Sequence, residues 1–146
     1  MVLQGEPLRA IEVIEEARPG WLAERQDILL QLLLLQFSLL VGRRDSTAAL
    51  AFAKERLQPF ASGKGTPDQV QRLGDCVSLL AYPDPEQAPL GDLVRGGHRV
   101  AVADSLNGAL AAADGLGERT ALEVLWRHLE VLKAESGERA GFSKPP

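Results

Sequence analysis

Ile28-Leu29-Leu30-Gln31-Leu32-Leu33-Leu34-Leu35-Gln36-Phe37-Ser38-Leu39-Leu40-Val41 is the stretch that decides the fold class. It is apolar nearly all round and shows no strict apolar/polar alternation, so it reads as a helix covered on more than one side. Gln31, Gln36 and Ser38 interrupt it, and Asp27 and Arg43-Arg44 bracket it. The run also falls short of the roughly 20 apolar residues that span a bilayer as a helix. A buried helix is therefore expected from Trp21 or Leu22 to Val41, stopped by Gly42.

The flanking segments supply partners for it. Residues 6–18 place Leu8, Ile11 and Ile14 on one side and Arg9, Glu12 and Glu16 on another, with Pro7 in the first turn, where its missing N–H costs little. Pro19-Gly20 ends that amphipathic helix. On the other flank, Asp45 or Ser46 caps a helix reaching Leu57, in which Ala48, Ala49, Ala51 and Ala53 combine high helix propensity with small size; Pro59 is expected to close it. Residues 61–65 read as a flexible linker. Thr66-Pro67-Asp68-Gln69 then reads as a capping box that opens a helix to about Leu80.

Tyr82-Pro83-Asp84-Pro85-Glu86-Gln87-Ala88-Pro89 cannot be regular helix, because its prolines hold the backbone extended or turned. One short turn is expected over residues 90–94, and Gly96-Gly97 breaks the chain again. Helices are expected over residues 98–113 and 118–135, separated by Gly115 and Gly117, with a frayed tail over 136–146. No segment alternates like a strand and no fixed-period repeat is present. The predicted class is all-α, a helical bundle of stacked antiparallel helices.

Composition narrows the function. The 146 residues are 45% hydrophobic and 25% charged, which fits one folded domain rather than a disordered chain. A net charge of −4 argues against a nucleic-acid or anionic-membrane partner. Cys76 is the single cysteine, which excludes an intramolecular disulfide framework and a cysteine-rich zinc module and suits a reducing compartment, cytoplasmic or nuclear. The amino terminus has no basic region followed by an apolar one, so it does not read as a secretory signal.

Catalysis finds no support either. G-x-S-x-G, H-E-x-x-H, P-loop and G-x-G-x-x-G patterns are all missing. His98, beside Gly96-Gly97, reads as an exposed or locally bonded histidine at a helix start; a catalytic base would need a nucleophile or metal-ligand spacing that does not accompany it. His128 lies on the apolar side of the last helix, where packing or an interface explains it better than a pH switch. Cys76, among Leu73, Val77 and Leu80, reads as a small hydrophobe rather than a reactive thiol. The Pro-Asp-Pro-Glu acids fall short of a calcium site, and Arg43-Arg44 suits a helix carboxyl end. No cofactor, metal or catalytic residue is assigned.

Two features point to binding. Leu122, Leu125, Trp126, Leu129 and Leu132 share one face of the last helix, and Ala121, Val124, His128 and Val131 widen its apolar sector to about 220°, well beyond the arc of a helix lying on one core. Such a helix is either packed centrally in the bundle or covered by a partner, with Trp126 as the anchor in the second case. Tyr82, Pro83, Pro85, Leu90 and Leu93 read as a rigid clasp, the prolines fixing the backbone while Tyr82, Leu90 and Leu93 bury against the helices on either side.

These residues resemble the CTLH and CRA helical region shared by subunits of the GID/CTLH ubiquitin ligase and by Ran-binding-protein-M-like scaffolds. Met1-Val2-Leu3-Gln4-Gly5 with Ala10-Ile11 is similar to the start of the CTLH hairpin. Ala48-Ala49-Leu50-Ala51-Phe52-Ala53-Lys54 with Leu57, Pro59 and Phe60 is similar to its alanine-rich helix. Leu79-Leu80-Ala81-Tyr82-Pro83-Asp84-Pro85-Glu86 followed by Pro89-Leu90-Gly91-Asp92-Leu93 looks like the junction between the two parts, and is the most specific of the three. Among members, the compact GID-eight type is most alike. The resemblance implies a CTLH-like part over residues 1–60, a CRA-like part over 66–135 continuous with it, and a clasp that sets the angle between them. It also implies a non-catalytic scaffold that contacts other CTLH/CRA-type subunits or itself. The LisH motif that usually precedes this region is not visible here, and one cysteine with two histidines cannot build the RING-type zinc module of the catalytic members. A self-associating helical adaptor unconnected with ubiquitination is the alternative.

Overall fold

The computed structural model describes residues 1–115. All regular structure among them is helical, as the periodicity predicts, and no strand is present there. Helix α1 spans Pro7–Ala17, α2 Trp21–Glu24, α3 Gln26–Gly42, α4 Ser46–Phe52, α5 Pro67–Ser78 and α6 Gly96–Ala113. Wide π-type turns at Ala53–Leu57 and Phe60–Lys64 continue α4, and single 3-10 turns sit at Leu79–Ala81, Pro85–Gln87 and Gly91–Leu93. The chain forms two compact units, Met1–Leu106 and Asn107–Pro146.

Helix α3 is the axis of the first unit, and α1, α2, α4 and α5 all pack on it. Its buried residues, Ile28, Leu30, Leu32 to Leu35, Phe37 to Leu39 and Val41, point in every direction, so no single stripe faces the core. Leu30, Leu33, Leu34 and Phe37 meet Ala49, Leu57 and Phe60 from one side and Leu73, Cys76 and Leu79 from another. Ser38, buried in this apolar wall, spends its hydroxyl on the Leu35 carbonyl at 2.8 Å, and so leaves no donor stranded.

Local signals set most boundaries. The Asp45 carboxylate accepts the Ala48 N–H at 3.0 Å and starts α4. At α5 the Thr66 hydroxyl accepts from the Gln69 N–H while the Gln69 side chain accepts from the Thr66 N–H, with Pro67 in the first turn. Such caps contribute about 1 kcal/mol each.

Three expectations need correction. The single helix expected from residue 21 to 41 is two, broken at Arg25, whose φ of −110° and ψ of 61° are not helical. Packing rather than propensity breaks it: α2 turns to seal Leu22 beside α1, the Arg25 N–H still reaches the Trp21 carbonyl, and the Arg25 guanidinium lies 5.8 Å from the Trp21 ring centre. Pro59 does not close its helix. The wide turn at Ala53–Leu57 shifts the preceding carbonyls out of the register in which the Pro59 ring would collide with them, so the helical path continues. The linker expected over 61–65 is correspondingly short, and the helix ends at Ser62 and Gly63, the latter at φ 97°.

Candidate functional site

Few described side chains could do chemistry. Cys76 is buried beside Leu73 and Leu79, and burial, with Asp75 next to it, pushes its thiol up to about 12. It is a packed hydrophobe, as expected. The raised value stabilises the fold in full below pH 9, and that stabilisation is lost as pH climbs from 9 towards 12, because the unfolded chain ionises first. Denaturant melts across this window should show a loss in the wild type that Cys76→Ala lacks; parallel curves would refute the assignment.

His98 is half-buried rather than exposed, its Nε2 has no hydrogen-bond partner among the described residues, and burial lowers its pKa. No described nucleophile or acid engages it. Arg43 and Arg44 are exposed at the end of α3, with Arg44 in the left-handed region at φ 59°. No cluster of potential metal ligands occurs among the described residues, and no helix there is long and apolar enough to cross a membrane.

The proline-rich segment forms a small, internally tied unit. Pro85 and Ala88 are its buried residues, and Pro85–Gln87 packs against α3. Gly91 is also buried, and a Cβ there would collide with the Glu86 carbonyl oxygen and press on that of Pro85, 3.0 Å away. The Arg95 guanidinium donates to the Glu86 carbonyl at 2.9 Å and to the Asp92 carboxylate at 2.9 Å, closing the segment on itself. Val94 leans on the end of α3 so closely that a Cβ on Gly42 would lie 2.7 Å from it. Of the side chains expected to bury, Tyr82 is 43% and Leu90 37% exposed; Leu93 alone is partly buried against the core. The reason is backbone economy: close approach at Gly91 and the buried Pro85 seat the segment, leaving little room for large side chains beneath it.

Among the described residues, two of the grooves on the helical surface are apolar and open enough to bear on binding. One lies between α1, α3 and the wide turns after α4, has a volume of about 380 Å³, and is floored by Leu8, Ile11, Leu29, Leu33 and Phe60. The other lies between α4 and α5 over Leu57 and Leu73, with Leu50 48% and Val77 38% exposed at its edges and Lys54 and Gln58 beside it. The face formed by Leu122, Leu125, Trp126, Leu129 and Leu132, and His128 with it, lies outside the described residues.

A comparison with protein-family models matches residues 1–133 to the domain described as "CTLH/CRA C-terminal to LisH motif domain". The chain belongs to the CTLH/CRA family. Among curated proteins, this CTLH/CRA chain is 27% identical over 113 residues to the "Glucose-induced degradation protein 8 homolog" of Nematostella vectensis, an alignment covering 77% of the chain and 49% of that relative. The chain thus spans about half the length of the curated relative it matches. No solved structure matches it.

The most specific part of the resemblance, residues 79–93, is where the CTLH/CRA chain folds its tied segment. Of the residues expected to form the clasp, Pro85 is buried and Leu93 partly buried, while Ala88 and Gly91 were not among them. Spacing could have found Asp92 and Arg95, an i, i+3 ion pair, and Gly91 stood out as a small residue between two leucine positions. Nothing in the sequence announced the groove beside α1, because Glu12 and Glu55 become neighbours only when α1 and the turns after α4 are set on α3.

Proposed function

We propose that this chain is a non-catalytic helical scaffold of a GID/CTLH-type ubiquitin ligase, joining other CTLH/CRA-type subunits through the Leu122, Leu125, Trp126, Leu129 and Leu132 face. The observation that carries the reading is the family match over residues 1–133, supported by a relative whose name concerns glucose-induced degradation. The apolar sector of about 220° expected for a helix over residues 118–135 suits a partner-covered face. The segment from Tyr82 through Pro83 and Pro85 to Leu90 and Leu93 would serve as the clasp, now anchored by Pro85, Ala88 and Gly91. Acidic net charge and the lone buried thiol fit a cytoplasmic or nuclear setting without nucleic acid, membrane or cofactor.

The second reading, a self-associating adaptor without a ligase connection, draws on the apolar groove edged by Leu50 and Val77. Co-expression of the full chain with a RING-type subunit of a CTLH ligase separates the two. A stoichiometric complex is the expected result, and a chain that elutes only with itself would overturn the first reading. Within the complex, Trp126→Ala should weaken binding by about 2 kcal/mol or more, about thirtyfold, while the thermal melt is preserved. Retained binding, or a lost fold, would remove Trp126 from the interface.

A further inference from the structure

The groove beside α1 has a rim whose chemistry specifies an occupant. Its floor is made of half-buried or buried apolar side chains that also pack on the core, so it is preformed by the fold. A volume of about 380 Å³ has room for large side chains and lies within the range of preformed binding pockets. The walls are helical on every side and no strand edge is present among the described residues, which leaves a helix laid along the groove as the geometry that packs ridges into it.

Charge supplies the second argument. Glu12 stands on one bank and Glu55 on the other, both exposed, and neither makes a hydrogen bond or ion pair among the described residues. Glu16, one turn beyond Glu12 and likewise exposed, extends the acidic edge along α1 away from the exposed Arg9, and Arg56 is the one cation lining the groove among the described residues. The π-type turn at Ala53–Leu57 brings Glu55 and Arg56 to this rim, a distortion of a kind often found at functional sites. Acids on both banks of an apolar trough form a surface complementary to an apolar ridge flanked by lysine or arginine.

We propose that this groove docks a basic amphipathic helix of a partner protein, its apolar ridge on Leu8, Ile11, Leu29 and Phe60 and its cations reaching Glu12 and Glu55. The assignment goes beyond the scaffold reading, which places the partner face on residues 122–132, and does not depend on it. The probes are two fluorescein-labelled synthetic helices of about 18 residues, long enough to hold helical structure, with the same leucine ridge and either lysine or glutamate along its flanks. Anisotropy titrations of the full chain should show the lysine helix binding at least tenfold tighter than the glutamate helix, with the preference shrinking as salt is raised. The double variant Glu12→Lys and Glu55→Lys, at two exposed positions, should keep the circular dichroism melt and reverse the preference. Equal binding of both helices, binding of neither, or an unreversed preference in the folded variant would overturn the proposal. Sedimentation showing a self-association that the same variant abolishes would assign the groove to a second copy, and would overturn it as well.

Discussion

Phe37→Ala is expected to cost about 3–5 kcal/mol of folding stability, the range for removing a large aromatic side chain from a packed core. Phe37 is 0% exposed, lies in α3 and shares its cluster with Leu57, Phe60 and Leu79, which come from the wide turns after α4 and the 3-10 turn after α5. The surrounding atoms belong to helices held from several sides, so the cavity cannot collapse on one of them without opening another contact. A domain has about 5–15 kcal/mol in total, so a loss of this size is a large fraction of its stability and should lower the urea midpoint markedly. Urea titration followed by far-ultraviolet circular dichroism gives the number, and a loss under about 1 kcal/mol would mean that α3 is not the axis of the core.

Gly91→Ala should destabilise by about 3 kcal/mol, at the upper end for an overpacked methyl group. The added carbon would meet the Glu86 carbonyl, which is backbone and cannot rotate aside as a flexible side chain would. Relieving the clash means lifting the Pro85–Gln87 turn off α3, and with it the buried Pro85 and Ala88. Leu90→Ala supplies the contrast: its side chain is 37% exposed, so its loss should fall below that of a fully buried leucine. If the two variants melt alike, side chains rather than backbone contact hold the segment.

How much of this was readable beforehand follows from the range of the forces involved. Thr66 with Gln69, Asp45 with Ala48, and Pro7 at the start of α1 act within four residues, so the sequence displays them directly. The break at Arg25 answers to packing against α1, and the helical path through Pro59 to the wide turn that precedes it, and intrinsic propensity points the other way at both. Tyr82 and Leu90 illustrate a third case: large apolar type predicts burial on average, yet a segment seated by glycine and proline has no depth to receive them. The groove with its acids on facing banks is a purely tertiary product, invisible to any periodicity.

The all-round burial of α3 also has a consequence in time. On a ribosome adding about 5–20 residues per second, the 36 residues between the end of α3 at Gly42 and the end of α5 at Ser78 take about 2–7 s to appear. For that interval the most apolar helix of the chain has only α1 and α2 to lie against, and the surfaces destined for α4 and α5 face water. Collapse occurs in well under a millisecond, so over those seconds the nascent segment has ample time to close on α1 and α2, or to stick to other apolar surfaces, before its remaining neighbours are made. The feature that gives the finished protein its axis is thus its greatest hazard during synthesis.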